Sequence, residues 1–159
     1  MLIVLEGCDG VGKTTVAEQL ASEIKDAQIV HCTRETQNDF EFFMDFIERA
    51  KTENIILDRG MYGQFVYQEH NERKLTPEQL LELEKQMSTI KARVFYICAS
   101  RDAIRSRLNA RLEVLSLPLE TILARYESIF ARSIIPIYVW DTTATSEESI
   151  WQRYMNVIQ

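Results

Sequence analysis

The sequence predicts an α/β fold in which a five-stranded parallel sheet lies between two layers of helices. Five short apolar runs lack strict alternation, which is typical of strands buried on both faces of a parallel sheet. Between them, apolar residues recur at helical spacing. Strands that alternate with helices build a three-layer α/β/α sandwich. The five runs are Leu2–Leu5, Ile29–Val30, Asn54–Leu57, Val94–Cys98 and Ile137–Trp140.

The helices between these strands follow from apolar faces and from capping residues. Thr76 is placed to cap one helix, with Pro77 in its first turn. Ser146 opens a last helix near the end of the sequence. The first two helices have the apolar faces Val16, Ala17, Leu20, Ala21 and Ile24, and Phe40, Phe43, Met44 and Ile47.

Length and composition are typical of one globular domain over residues 1–159. The 159 residues carry a net charge of -6, which argues against binding of nucleic acid. No apolar stretch approaches the roughly 20 residues that span a bilayer, so we expect no membrane partner. The three cysteines form no C-x-x-C pair, which suggests reduced thiols and a cytoplasmic location. A homodimer is an open expectation, because the face of Leu80–Met87 is apolar.

Residues Gly7–Thr14 match the phosphate-binding loop G-x-x-x-x-G-K-[ST] between a strand and a helix. Backbone N–H groups in such a loop converge on phosphate oxygens, and the helix that follows adds its positive end. Cys8 lies close to that helix end, whose dipole lowers the pKa of a thiol. We therefore expect ATP to bind at Gly7, Asp9, Gly10, Val11, Gly12, Lys13, Thr14 and Thr15.

Asp58-Arg59 ends the third strand at the carboxyl edge of the sheet, where ligands of such folds bind. An aspartate at this place can hold a Mg²⁺-bound water together with the Thr14 hydroxyl, so Thr14 and Asp58 form the predicted metal site. The arginine can grip a second phosphate. The alternative is a strand-end ion pair with a local partner.

Four arginines, at positions 101, 105, 107 and 111, follow the fourth strand. In a helix, Arg107 and Arg111 share one face, so this pair can stabilise the charge of a transferring phosphoryl group. The segment Leu115–Pro118 then interrupts the helix. This pattern suits a lid around residues 101–125, although surface arginines at helical spacing often serve only solvation.

These motifs together resemble those of thymidylate kinases over nearly the whole chain. The segment Leu5–Thr15 is similar to the family's E-G-x-D-G-x-G-K-T-T loop, including the less common internal aspartate. Asp58-Arg59 with Gln64 and Tyr67-Gln68 resembles the segment D-R-Y…S-x-x-A-Y-Q. The further matches are Thr33-Arg34-Glu35, Arg107–Arg111, Asp141-Thr142 and Ser146-Glu147-Glu148.

The resemblance implies a nucleoside monophosphate kinase of the P-loop type, which moves a phosphoryl group from ATP to a deoxynucleoside monophosphate, with dTMP as the first candidate. It places Asp9 near the acceptor's sugar and phosphate. Arg34 and Arg59 then hold that phosphate. Gln64 lies along the base or sugar, and Tyr67 packs under the deoxyribose. The implied catalytic set is Lys13, Arg59, Arg107 and Arg111.

Three departures from the family pattern leave the acceptor base open. Thr36 stands where the arginine turn normally has proline, and Gly60 replaces the usual tyrosine. The stretch from Arg34 to Asp58 is much shorter than usual and lacks the helix that reads thymine. Phe40, Phe42 and Phe43 are candidates to stack on a base, and Phe43 is included in the acceptor site. The alternative for Phe40 and Phe43 is the core face of a helix.

Two other classes of function remain open. A deoxynucleoside kinase phosphorylates a sugar hydroxyl and needs a carboxylate base, for which Glu6 or Glu35 would have to serve. A nucleotide-binding regulator is the second alternative, but the N-K-x-D and D-x-x-G motifs of a guanine-nucleotide switch are absent from the sequence. A motor would need an acidic pair and a basic surface, whereas this chain is acidic.

Overall fold

The computed structural model describes residues 1–33, 36–144, 152 and 154–156. The strands β1 to β5 span Leu2–Glu6, Ala27–His31, Asn54–Asp58, Arg93–Cys98 and Ile137–Asp141. The helices α1 to α6 span Lys13–Glu23, Phe40–Arg49, Gly63–Tyr67, Pro77–Thr89, Arg101–Arg111 and Leu119–Phe130. All five predicted strands are confirmed. Four of them are one residue longer than predicted, and β2 extends the predicted Ile29–Val30 to five residues.

The sheet has the strand order β2-β3-β1-β4-β5, and every neighbouring pair is parallel. β1 is the central strand. At its carboxyl end Leu5 lies opposite Asp58, and Glu6 lies opposite Tyr96. All five strands therefore end at one edge of the sheet, and the loops that carry the predicted site residues meet there.

Helices cover both faces of the sheet. Ile3 and Leu5 of β1 belong to a core cluster with residues of α1, α5 and α6. Leu2 and Val4 belong to a second cluster with residues of α2 and α4. All four side chains are at most 1% exposed. Burial on both faces explains the continuous apolar run, because neither face of β1 needs polar residues.

Side-chain caps fix the starts of α2, α4 and α5. The Thr76 hydroxyl accepts a hydrogen bond from the Gln79 amide N–H at 3.2 Å, and the Gln79 side chain accepts one from the Thr76 N–H at 2.9 Å. This capping box, followed by Pro77, confirms the predicted start of α4. Asp39 caps α2 in a similar way by accepting from the Phe42 N–H at 2.9 Å. None of the helices within the described ranges has the length and apolar character needed to cross a membrane.

The apolar face of α4 packs within the chain. Leu80, Leu83 and Met87 are 6%, 0% and 0% exposed, in the same cluster as α2. This face is therefore not free for a second subunit, contrary to the argument for a homodimer from the sequence. The predicted opening of the last helix at Ser146 lies outside the described residues. Further on, Tyr154 is 3% exposed and packs against Phe95, with ring centroids 5.6 Å apart.

Candidate functional site

The loop between β1 and α1 depends on glycines with positive φ: 144° at Gly7, 83° at Gly10 and 89° at Gly12. Side chains rarely adopt such values. At Gly7 an added Cβ would lie 2.2 Å from the Ile97 carbonyl oxygen, so only glycine allows this approach to β4. The chain enters α1 at Lys13, where the N–H groups of the first turn are available to an anion.

Lys13 folds back over this loop. Its Nζ donates a hydrogen bond to the Cys8 carbonyl oxygen at 2.7 Å and lies 4.0 Å from Asp9 Oδ1. The residue is only 6% exposed, and burial, with a smaller effect of the Arg59 guanidinium, lowers the pKa of Lys13. The neighbours of this buried ammonium are a carbonyl oxygen and a carboxylate at 4.0 Å, which balance its charge only in part. Such a group is suited to receive a phosphate.

Thr14, His31 and Asp58 meet beside the loop. The Thr14 hydroxyl donates to Asp58 Oδ2 at 2.8 Å, and His31 Nδ1 lies 2.9 Å from the same oxygen. Asp58 Oδ1 is buried and has no hydrogen-bond partner in the part of the chain that the structure describes. A hydroxyl and a carboxylate with a free oxygen fit Mg²⁺, so the residues present are compatible with the predicted ion. The sequence does not place His31 at this site. The register of β2 and β3 puts it opposite Asp58, and local sequence does not reveal that register.

Arg59 crosses from the sheet edge to the loop. Its backbone has a φ of 71°, and its N–H donates to the Leu5 carbonyl oxygen at 3.0 Å. The guanidinium Nη2 donates to Asp9 Oδ1. The arginine side chain is half exposed, so its pairing with Asp9 can be exchanged for another anion at little cost.

Two cavities open at this edge, and they share a wall formed by Asp9, Arg59 and Val114. The loop cavity, of about 360 Å³, is lined mainly by the phosphate-binding loop and by Arg111. The second cavity, of about 240 Å³, lies on the other side of Arg59. The predicted loop residues that line the loop cavity are Asp9, Gly10, Gly12, Lys13, Thr14 and Thr15.

The second cavity is walled by side chains with unused hydrogen-bonding atoms. Asn38 Oδ1, Tyr67 Oη and Gln68 Oε1 are buried and have no partner among the described residues. Burial also raises the pKa of the Tyr67 hydroxyl, which therefore stays neutral. Buried polar groups without partners are costly, so this cavity is suited to a polar ligand.

Glu6 lies fully buried at the floor of the second cavity. Its Oε1 accepts from the N–H groups of Gly60 and Tyr62 at 3.1 and 3.0 Å, and its Oε2 accepts from the Tyr126 hydroxyl at 3.2 Å. Burial raises the pKa of Glu6 to about 7, although the Tyr62 N–H and the Lys13 ammonium oppose this shift. Glu6 has no clear place in the sequence analysis, and the structure puts it in the lining of the second cavity.

Gln64 and Tyr67 both line the second cavity, as the resemblance implied. The Gln64 amide, however, is already used: Nε2 donates to the Asn38 carbonyl oxygen at 2.6 Å, and Oε1 accepts from the Lys74 N–H at 2.9 Å. Phe43 requires a correction, because it is 1% exposed in the core and lines neither cavity. The apolar face of α2, not base stacking, explains this phenylalanine.

The predicted lid arginines have different surroundings. Arg111 lines the loop cavity. Arg107 instead joins the loop to the end of β5: its Nη1 donates to the Gly10 carbonyl oxygen at 3.3 Å and its Nη2 to the Thr142 carbonyl oxygen at 2.6 Å. Arg101 forms a bidentate, exposed ion pair with Glu120. The predicted interruption is confirmed, since α5 ends at Arg111 and α6 begins at Leu119.

Two of the remaining predicted loop residues, Cys8 and Val11, are buried, and two lie outside the described residues. Cys8 is 1% exposed, and burial raises the pKa of its thiol to about 11, so the expected lowering by the helix end is wrong. Val11 is buried in the core, and its carbonyl oxygen accepts from the Thr142 hydroxyl at 2.6 Å. Arg34 and Glu35 lie outside the described residues.

Gly60, which stands where thymidylate kinases usually have tyrosine, lies where a side chain does not fit. An added Cβ would lie 2.4 Å from Val4 Cγ1 and 3.0 Å from Glu6 Oε1. We therefore expect Gly60→Ala to lower the free energy of unfolding by about 1–3 kcal/mol, measured by urea unfolding. Gly63→Ala is the matched control, because its Cβ would meet no atom closer than 3.6 Å. Equal stability of both variants would contradict this account of Gly60.

The phosphate-binding loop, the parallel sheet and the paired cavities define a P-loop kinase fold. A family model described as novel STAND NTPase 3 matches residues 1–134. The chain belongs to this family.

Individual relatives agree with this class. The SPbeta prophage-derived uncharacterized protein YorR of Bacillus subtilis is 29% identical over 154 residues, which cover 94% of this chain and 93% of YorR. The crystal structure of YorR in complex with phosphorylated GDP has a TM-score of 0.76 and 28% identity, over 99% of this chain and 94% of that one.

Two further relatives are nucleotide kinases. A thymidylate kinase of Campylobacter concisus is 30% identical over 140 residues, which cover 70% of this chain and 72% of that enzyme. Deoxyadenosine kinase from M. mycoides with bound dATP shares the fold, with a TM-score of 0.60 at 16% identity and 100% coverage of both chains. The thymidylate kinase supports phosphoryl transfer as the general reaction, and the deoxyadenosine kinase shows the shared fold.

Proposed function

We propose that the protein transfers the γ-phosphoryl group of ATP to a deoxynucleoside monophosphate, with Mg²⁺, and that dTMP is the first acceptor to test. The position of Arg59 carries this proposal. Its half-exposed guanidinium lies in the wall between the two cavities and, among the described residues, is paired with the carboxylate of Asp9. A cation at this junction is suited to hold an acceptor phosphate in line with a donor phosphate.

The loop cavity is the donor side in this proposal. The loop N–H groups and Lys13 bind the phosphates of ATP, and Arg111 stabilises the equatorial oxygens of the transferring group. Thr14 and Asp58 would hold Mg²⁺, which neutralises phosphate charge when it is bound. Arg107 positions the loop through Gly10, because its guanidinium is already engaged there.

The second cavity is the acceptor side. The acceptor phosphate replaces Asp9 as the partner of Arg59, and Asp9 turns toward the sugar. Tyr67 packs under the deoxyribose, and Arg34 adds a second cation by resemblance to thymidylate kinases. Because the attacking group is already an anion, the reaction needs no strong base.

Residues 101–125 act as a lid over both sides within a single domain of residues 1–159. Leu112 and Val114 lie between α5 and α6 and are 91% and 93% exposed, and Val114 already touches both cavities. Closure of this segment buries apolar surface and excludes water from the phosphates. Both substrates are cytoplasmic nucleotides, so we place the protein in the cytoplasm and in nucleotide biosynthesis.

A deoxynucleoside kinase is the second candidate, because Glu6 lines the acceptor side and its pKa is raised to about 7. A carboxylate with such a pKa can accept the proton of a sugar hydroxyl near neutral pH. Both of its oxygens already accept hydrogen bonds from Gly60, Tyr62 and Tyr126, which ties this carboxylate to the protein. The monophosphate acceptor is therefore the better-supported choice.

A panel of acceptors tests the proposal. Purified protein with Mg-ATP is offered dTMP, dUMP, dCMP, dGMP, dAMP and the matching nucleosides, and ADP is measured. Turnover of monophosphates is the expected result. Turnover of nucleosides alone, with a rate that rises through about pH 7, would establish the second candidate. Hydrolysis without any acceptor dependence would indicate a regulator.

Arg59→Ala should lower kcat/KM for the monophosphate about 30-fold, with a higher acceptor KM and a lower kcat. The reason is the loss of a charge-assisted bond of about 2 kcal/mol to the acceptor phosphate. Initial rates at varied acceptor and saturating ATP give both constants. Arg132→Ala, at an exposed position after α6, is the control. Unchanged acceptor kinetics in Arg59→Ala would refute the assigned role.

A further inference from the structure

The base-reading position implied by the family resemblance is already occupied in this chain. Gln64 is 6% exposed, and both ends of its amide bond to backbone groups of the neighbouring loops, at Asn38 and Lys74. These two bonds leave the amide one N–H and one lone pair, but they fix its orientation against the neighbouring loops. Gln64 therefore holds the cavity wall in place, and a residue with an entirely unpaired group is the stronger candidate to read the ligand.

Asn38, unlike Gln64, has an amide oxygen with no hydrogen-bond partner among the described residues. Its Nδ2 donates to the Thr33 carbonyl oxygen, which can only accept. That bond fixes the orientation of the amide, so the opposite atom is an oxygen acceptor. This Oδ1 is buried, has no partner in the described ranges, and belongs to a residue that lines the second cavity.

The loop that carries Asn38 is held from several sides. Asn38 has a φ of 47°, a conformation that asparagine tolerates better than most residues. Gln64 fixes its carbonyl oxygen, and Lys74 Nζ donates to the Thr36 carbonyl oxygen at 2.9 Å. The Thr36 hydroxyl donates to the Thr33 carbonyl oxygen at 2.7 Å. An acceptor held this firmly loses little entropy when it binds a ligand.

We propose that Asn38 determines the acceptor base by accepting a hydrogen bond from an N–H group of that base through Oδ1. This inference rests on the proposed function, since it takes the second cavity as the acceptor site. It assigns base recognition to the shortened stretch after Arg34, in place of the helix that the chain lacks. Gln68 Oε1, unpartnered on the same wall, is available to a second polar atom of the base.

The N–H group can come from two sources. It is a ring N–H in thymine, a ring N–H or an exocyclic amine in guanine, and an exocyclic amine in adenine and cytosine. A methylated analogue removes each donor: 3-methyl-dTMP, 1-methyl-dGMP, N2,N2-dimethyl-dGMP, N6,N6-dimethyl-dAMP and N4,N4-dimethyl-dCMP. The parent nucleotide that binds best identifies the source, and its methylated partner tests the hydrogen bond.

The test measures the affinity of each parent and methylated nucleotide by calorimetry, without ATP, for the whole protein and three variants. We expect the preferred parent to bind the unaltered protein about 30-fold more tightly than its methylated partner, because methylation leaves a buried acceptor unpaired. Asn38→Gly keeps the backbone conformation and should bring this ratio close to one. Asn38→Asp retains an oxygen acceptor but loses the donor to the Thr33 carbonyl oxygen, so it should weaken both nucleotides and keep a ratio above that of Asn38→Gly. Asn71→Gly, on an exposed turn, is the matched control.

A loop that is merely loosened by Asn38→Gly would weaken both nucleotides equally and leave the ratio unchanged, which would overturn the inference. A ratio close to one in the unaltered protein, or no binding of any nucleotide in the panel, would overturn it as well. Because binding is measured without transfer, failure of the kinase assay with a preserved ratio would refute only the proposed reaction.

Discussion

Lys13→Ala should lower kcat by about 10²- to 10³-fold, the loss expected when one preorganised donor to the transition state is removed. Lys13 is placed for this role by burial at 6% exposure and by a bond to the Cys8 carbonyl oxygen that a phosphate can replace. The ammonium contacts charge that develops during transfer, so the effect should appear in kcat more than in the acceptor KM. Single-turnover and steady-state rates measure both.

A second variant separates chemistry from folding. Lys13→Met keeps an unbranched stem at this buried position and removes the charge together with the hydrogen bond to the Cys8 carbonyl oxygen, so it should stay folded and lose the same activity. Lys25→Ala, exposed after α1, is the matched control and should be fully active. Transfer at the parental rate by a folded Lys13→Met protein would show that another cation serves the phosphates.

The parts of the fold that local sequence determines were predictable. Five apolar runs predicted the five strands. Burial removes polar alternation from β1, β3 and β4, whereas the edge strands β2 and β5 are only partly buried. The phosphate-binding loop was predictable because glycines at Gly7, Gly10 and Gly12 are demanded by positive φ values that the motif encodes. Thr76-Pro77 gave the start of α4, because a capping box acts over one turn.

The remaining parts depend on which segments meet across the fold. Local residue spacing does not reveal that Glu6 is buried under Tyr126. It also does not reveal the strand register that brings His31 to Asp58. For Phe43 the sequence allows two interpretations, because its periodicity fits the core face of a helix and a base-stacking residue equally well. Its burial in the structure decides for the core. Gln64 matches the family motif, yet Asn38 and Lys74 occupy its amide.

Glu6→Gln should change how the free energy of unfolding depends on pH. The pKa of Glu6 is raised in the fold from 4.5 to about 7, chiefly by burial. Between these values the unfolded chain releases the proton while the folded chain keeps it, so the folded state binds more protons. The contribution of Glu6 to stability therefore falls as pH rises from 4.5 to about 7, and it is constant above that range.

The shift corresponds to about 3 kcal/mol, because one pKa unit is about 1.4 kcal/mol. Glutamine keeps an oxygen for the Gly60 and Tyr62 N–H groups, and its NH₂ group can donate to the Tyr126 hydroxyl, which is also 3.2 Å from the Gly7 carbonyl oxygen. The variant should gain about 3 kcal/mol relative to the parent between about pH 4 and about pH 8.

Urea unfolding at a series of pH values measures this difference directly. Glu18→Gln, on the exposed face of α1, is the control and should follow the parent at every pH. If the free energies of unfolding of Glu6→Gln and the parent changed with pH in the same way, the carboxylate would already be ionised in the fold at low pH. The same result would remove Glu6 as a base for a hydroxyl acceptor, because a carboxylate that does not take up a proton near pH 7 is a weak base for that reaction.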